Sequence, residues 1–228
     1  MHHHTLRLLA AAVALTVSSA LPLAAQAADK APATSAKPAK ADAVLAAKAE
    51  KLYLDSFDPD QPRTHLDRLK QDEAMALCSQ YKDNPPPAVR AKIEKAQLET
   101  IRFPVEGRLV GDWKKGEELA SSGRGGHIGK IQPDAKGTPR GGNCYACHQL
   151  ATKEVAYGTI GPSLHNFGKV RGYGEDIARY AYMKVYNAQA FSACTNMPRF
   201  GYHAWLTPEQ IADIVAFLMD PESPVNKD

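Results

Sequence analysis

The sequence predicts an all-α fold. Three features carry that reading. Apolar residues recur at helical spacing in several windows, prolines and glycines cut those windows into segments of helix length, and no alternating apolar–polar run of strand type stands between them. No internal repeat is visible.

Residues 1–27 read as a secretory signal peptide. Arg7 precedes the apolar run Leu8 to Leu15, and Ala25-Gln26-Ala27 supplies a small-x-small cleavage site before Ala28. The rival reading is an uncleaved membrane anchor, but Ser18, Ser19, Pro22 and Gln26 interrupt the apolar stretch. No lipobox cysteine occurs there. The expectation is a periplasmic protein, cleaved near Ala27, with no membrane insertion afterwards. Residues 28–47, rich in Ala, Lys and Pro and without aromatics, read as a flexible or weakly helical leader.

Residues 48–105 read as a helical extension. A first helical pattern covers about Ala43 to Leu54 and is broken by Asp58-Pro59-Asp60-Gln61-Pro62. A second spans Thr64 to Tyr81, with Leu66, Leu69, Ala76 and Leu77 as apolar positions, and Asn84-Pro85-Pro86-Pro87 ends it. A third runs from Ala88 to about Ile101, before Pro104.

Residues 106–228 form the second domain. Asp112 to Ser122 predicts a short helix marked by Trp113, Gly116 and Leu119. The glycine-rich stretch 123–142 is a loop; with no strand before it, it makes a poor phosphate cradle. Thr159 to Lys169 is a further loop, containing Gly161-Pro162. Glu175 to Asn187 is helical, with Ile177, Tyr180, Ala181 and Val185 as its apolar positions, and Ala188 to Ala204 is a loop. The strongest helix follows. Thr207 is its N-cap, Pro208 stands in its first turn and Gln210 completes a capping box. Ile211, Ile214, Val215 and Leu218 then fall on one stripe, and Pro221 and Pro224 lie beyond its end.

The chain has 228 residues, 44% of them hydrophobic, enough to bury a core. Its formal charge is +3, and loss of Arg7 with the signal peptide leaves +2. That weak charge, with no dense basic run, argues against a nucleic-acid partner.

Cys144-Tyr145-Ala146-Cys147-His148 carries the chemistry. Two cysteines three residues apart put both sulfurs on one side of a helical turn, each able to form a thioether with a haem vinyl group. His148 then points its imidazole at the iron. The alternatives are a redox Cys-x-x-Cys pair followed by an accidental histidine, or a zinc site. The zinc site lacks further Cys or His ligands at matching spacing nearby. One covalently bound haem c with its iron is the expected cofactor.

The other axial ligand must come from elsewhere. Met75, Met183 and Met219 sit inside helical patterns, where filling a core is the ordinary role. Met197 lies instead in a loop and precedes Pro198, which disfavours helical geometry at Met197 and stiffens the loop. Met197 is the candidate, with His165 and His203 as rivals. Gly161-Pro162 is placed to offer a backbone carbonyl to the free N–H of His148. With His148 and Met197 both bound the iron has no open position, and the site moves electrons; no catalytic residue is assigned.

The capped C-terminal helix, the helix bearing Gly116, Cys-x-x-Cys-His, Gly-Pro-x-Leu and a late Met-Pro together resemble a class I cytochrome c domain, over about Asp112 to Pro221. More narrowly, Gly142-Asn143-Cys144, Gly161-Pro162-Ser163-Leu164 and Asn196-Met197-Pro198-Arg199-Phe200-Gly201 resemble the SoxX family, the monohaem subunits of SoxAX cytochromes. That resemblance implies periplasmic thiosulfate oxidation beside a SoxA-like haem subunit. The complex would be a heteromeric L-cysteine S-thiosulfotransferase that joins thiosulfate to a cysteine of the SoxYZ carrier. This chain would accept the electrons and pass them to a downstream cytochrome c, without itself being catalytic. The extension at 48–105 departs from the short form of the family. A free-standing electron carrier and a haem-based sensor with an open iron position are the competing readings.

Cys78 and Cys194 remain. In an oxidising compartment a pair of cysteines defaults to a disulfide, which would staple the extension to the Met197 loop. A free Cys194 thiol handling sulfur near the haem is the alternative.

Overall fold

The structure is a computed structural model, and it describes residues 40–56, 70–124 and 140–227. The expected signal peptide, most of the leader and most of the glycine-rich loop lie outside the described residues. Among the described residues seven α-helices follow one another: α1 (Lys40–Asp55), α2 (Glu73–Gln80), α3 (Pro87–Leu98), α4 (Trp113–Ser121), α5 (Phe167–Arg171), α6 (Glu175–Tyr186) and α7 (Pro208–Met219). Short 3-10 turns stand at Cys144–Ala146, Ala188–Ala190 and Pro224–Asn226. Among the described residues there is no strand, and no helix is long and apolar enough to cross a membrane. The fold is all-α.

Two compact units divide the chain, residues 1–48 and 49–228. The described part of the first is the beginning of α1. Within the second unit the 48–105 segment is no separate body. Its helices α2 and α3 pack on the residues that follow α6, as shown below.

The frame of the second unit is the crossing of α4 and α7. A Cβ on Gly116 would lie 2.0 Å from the Asp213 carbonyl oxygen and 2.8 Å from Phe217 Cβ, so only glycine lets the two backbones meet this closely. The side chain of Asp112 caps α4 by accepting from the Lys114 amide, while its own amide donates to Asp213 Oδ1 at 2.8 Å. The capping box of α7 is present: Thr207 Oγ1 accepts from the Gln210 amide, and Gln210 Oε1 accepts from the Thr207 amide. Ile211, Ile214, Val215, Phe217 and Leu218 are all buried. Each contributes about 1.5–3 kcal/mol of apolar burial.

Several boundaries differ from the sequence expectation. Helix α2 is short, starting after its N-cap Asp72, and it buries Ala74 and Cys78 where Ala76 was expected; Ala76 is exposed. Leu66 and Leu69 lie outside the described residues. On α6 the buried face is Ala178, Ala181, Tyr182, Val185 and Tyr186, while Tyr180 turns outward. The expected loop Thr159–Lys169 ends in α5. Asn226, itself buried, holds that helix in place: its Oδ1 accepts from the amides of Gly168 at 2.9 Å and Lys169 at 3.3 Å, and its Nδ2 donates to the carbonyls of Leu218 and Asp220.

The main core joins α4, α6 and α7 with Tyr145, Leu150 and Phe167. A second, small cluster of Ala74, Cys78, Ile93 and Ala193 lies between α2, α3 and the chain following α6. Tyr182 links the end of the extension to α6: its hydroxyl donates to the Arg102 carbonyl at 2.7 Å and its ring stacks on Phe103.

Candidate functional site

Cys144 and Cys147 sit on a 3-10 turn entered through Asn143, whose backbone is left-handed at φ 46°. The turn is tied to α4 from behind. The Gly142 amide donates to the Leu119 carbonyl at 2.7 Å and the Asn143 amide to the Ser122 carbonyl at 3.0 Å. The Cys147 and His148 amides both donate to the Cys144 carbonyl, at 3.1 and 2.9 Å, so the motif closes on itself as one turn. Both cysteines are free thiols and half-buried, whereas Cys78 and Cys194 are bonded to each other. Burial first, and then the neighbouring Cys147, push the Cys144 thiol up to about 12, so it is neutral at any ordinary pH.

His148 is oriented by the loop that follows. Its Nδ1 lies 2.7 Å from the Pro162 carbonyl oxygen, so Nδ1–H donates there and Nε2 keeps its lone pair. Gly161 packs flat on the ring. A Cβ at that position would stand 2.1 Å from His148 Cε1. The Gly161 amide donates to the Cys147 carbonyl at 2.9 Å, and the Gly158 amide to the Tyr145 carbonyl at 2.8 Å, so this loop is laced to the motif along its length.

Met197 is half-buried and packs against the same core cluster as Cys144. Its loop is also joined to the start of the motif. Trp205 Nε1 donates to the Gly141 carbonyl at 2.9 Å, and the Arg140 guanidinium lies over the Trp205 ring. The other methionines differ. Met219 is buried inside α7, Met183 packs on the core from α6, and Met75 is on α2. Of the rival histidines, His165 has both ring nitrogens engaged, Nδ1 with the Leu150 carbonyl at 3.2 Å and Nε2 with Asn166 Nδ2 at 3.0 Å. His203 stacks edge-on against Tyr202; burial, and then Arg199, lower its affinity for a proton.

The structure thus brings Cys144, Cys147, His148, Gly161 and Pro162 into one constellation, with Met197 on the same core, and it joins Cys78 to Cys194. Sequence reasoning missed the cluster behind the Met197 loop. Arg199 is 4% exposed; its Nη1 donates to Gln97 Oε1 at 2.9 Å and its Nη2 to Asp72 Oδ2 at 2.6 Å. The guanidinium also lies over the Tyr202 ring, 4.3 Å from its centroid. Buried Asn187 donates to Gln97 Oε1 and Thr100 Oγ1, both at 2.9 Å. A local signal existed only for Asp72, as an N-cap before a helical run.

Burial raises the Asp72 carboxyl's affinity for its proton, but hydrogen bonds from the Met75 amide and Arg199, with the Arg199 charge, outweigh it and hold the group below its usual value. A depressed carboxylate stabilises the fold above its unfolded-state value, and that contribution is lost as pH falls through the folded-state value. Asp72→Asn, which keeps the capping oxygen, is therefore expected to be less stable than the parent at pH 7. The gap should shrink as the pH is taken below about 4. Denaturant midpoints measured at both pH values check this; a gap independent of pH refutes it.

Residues 132–220 match the family model described as cytochrome c. The chain is also similar to an uncharacterized lipoprotein from Aquifex aeolicus (strain VF5), 44% identical over 158 residues, which cover 69% of this chain and 73% of that protein. The residues present suit a covalently attached haem c. Two thiols stay unpaired while the other cysteines form a disulfide, His148 offers a free Nε2, and Gly161 leaves the ring's flank clear.

Proposed function

Because the chain belongs to the cytochrome c family, and so carries covalently bound haem c with its iron for electron transfer, we propose that it is the monohaem electron-transfer subunit of a SoxAX-type thiosulfate-oxidising complex in the periplasm. In this reading Cys144 and Cys147 form the two thioethers. His148 and Met197 would hold the iron, which would supply a one-electron couple at a potential raised by the methionine sulfur.

The observation that carries the electron-transfer half is the engagement of His148 Nδ1 by the Pro162 carbonyl, 2.7 Å away. This hydrogen bond aims Nε2, sets the ring's rotation and increases its basicity toward a metal. Met197, on a loop braced by Pro198 and packed on the core, suits a closed six-coordinate iron. That arrangement favours moving electrons over binding small ligands. The sulfur half rests on the three runs around Cys144, Gly161 and Met197 and on their order in the chain. In this reading a SoxA-like haem subunit is the partner, thiosulfate is joined to a SoxYZ cysteine, and a downstream cytochrome c takes the electrons. An extracytoplasmic location agrees with the haem attachment and with the word lipoprotein in the relative's name.

Two measurements test the two halves. Met197→Ala is expected to abolish the methionine–iron absorption band of the oxidised protein and let the reduced protein bind carbon monoxide. An unchanged spectrum moves the ligand elsewhere. The chain isolated gently from its native source is expected to bring a second haem subunit and to be reduced on adding thiosulfate and the carrier. A lone monomer, fully active as an electron shuttle, overturns the heteromer.

A further inference from the structure

The segment carrying Met197 is held at both ends by the helical extension. Three residues before Met197, Cys194 is bonded to Cys78 of α2. Two residues after it, Arg199 reaches Asp72, the N-cap of α2, at 2.6 Å and Gln97 of α3 at 2.9 Å. The Ala193 amide adds a hydrogen bond to Glu94 Oε1 of α3 at 3.2 Å. Gln97 Oε1 is shared, because Asn187 Nδ2 donates to it at 2.9 Å from the far end of the 188–204 loop. One covalent bond and a buried guanidinium fork therefore bracket 194–199, both anchored in residues 72–97. These attachments converge on the few residues around Met197, although the apolar cluster that α2 and α3 bury, around Cys78 and Ile93, is small.

We propose that α2 and α3 are a scaffold positioning the Met197 sulfur, with Asp72, Gln97, Arg199 and the Cys78–Cys194 bond as the positioning groups. The proposal rests on Met197 being the axial ligand. A thioether is a weak ligand for ferric iron, so its occupancy depends on how far the loop is held in place before it binds. Loosening the loop populates a methionine-off state, and an outside ligand then binds with an apparent affinity set by that population. Loss of methionine from the oxidised state also lowers the reduction potential, since the soft sulfur is what favours ferrous iron.

A purely electrostatic role for the pair predicts the opposite sign. Removing the negative charge of Asp72 beside Arg199 would leave a buried cation uncompensated, which disfavours the oxidised state and raises the potential. The test uses the intact haem protein and imidazole as the probe ligand, with three variants: Asp72→Asn, Arg199→Lys, and Cys78→Ser with Cys194→Ser. Arg199→Lys keeps the charge but loses the two-pronged reach.

The expected result for each is a weaker methionine–iron band, imidazole binding tightened about tenfold, within the span common for coupled sites, and a lower potential. If Met197→Ala abolishes the band while the three variants leave band, imidazole affinity and potential unchanged, the scaffold is overturned and the ligand assignment stands. A raised potential in Asp72→Asn with the band intact also overturns it, in favour of charge alone. If the parent has no such band, or Met197→Ala does not alter it, the ligand assignment itself fails and the scaffold with it.

Discussion

With Cys144→Ser and Cys147→Ser together, the chain is expected to retain no haem after denaturation, whereas the parent keeps all of it. The argument starts from the turn that holds the two sulfurs. The Cys147 amide donates to the Cys144 carbonyl at 3.1 Å and Gly142 is tied to α4, so both thiols are presented from a backbone that has little freedom left. Serine preserves the size and hydrogen bonding of that turn and cannot form a thioether. What remains in the double variant, on the ligation proposed above, is the hold of His148 and Met197 on the iron with apolar packing, all of it reversible. Acid–organic solvent breaks the axial bonds and extracts such a haem, while a thioether survives. Each single variant keeps one linkage and should still stain for haem on a denaturing gel. Haem staining in the double variant at the parental level would contradict the assignment of both cysteines.

Where the sequence was legible, the decisive contacts are local. Helix α7 is the plainest case: a capping box four residues long, a proline at the first turn and one apolar stripe all agree, and the helix occurs as read. The haem motif is equally local, since its spacing is that of a single turn. The bond of His148 to Pro162 was also within reach, because Gly-Pro so close after the motif has few other places to go.

The illegible parts depend on partners far along the chain. Helix α5 has five residues and is framed by Asn166 and Gly172, both at positive φ. Its propensity alone would not fold it; its Gly168 and Lys169 amides are satisfied by Asn226, 58 and 57 residues away. No window of local pattern contains that information. The same holds for Arg199. An arginine in a loop reads as solvated, yet this one is buried because Asp72 and Gln97 meet it across 127 and 102 residues. Tyr180 shows the reverse error. It sits at helical spacing from Ile177 and reads as one of the apolar positions of this helix, but the stripe that α6 buries runs through Ala178, Ala181 and Tyr182.

The second large effect concerns the Cys78–Cys194 bond. Breaking it, by Cys78→Ser with Cys194→Ser, is expected to lower the unfolding free energy of the haem protein by about 3–5 kcal/mol. The bond closes a chain segment of 116 residues, and the entropy that such a cross-link removes from the unfolded ensemble grows with segment length, reaching about 4.7 kcal/mol for a loop of about 100 residues. Few apolar contacts nearby can compensate. The cluster around the bond comprises Ala74, Cys78, Ile93 and Ala193, with Leu77, Val89 and Cys194 partly buried beside it, and two of those seven side chains are the cysteines themselves. The Arg199–Asp72 pair survives the change and keeps the loss at the lower end of the range if it alone holds the seam. A loss of about 4 kcal/mol corresponds to a fall in Tm of about 8–16 °C for a unit of this size. The loss should also be uneven. Helices α2 and α3 should open before the α4–α7 frame, so limited proteolysis should cut within residues 70–100 while the haem-bearing fragment stays intact and red. A variant with the parental Tm and an unchanged cleavage pattern would show that the polar contacts of Arg199 and Asn187 hold the extension without the disulfide.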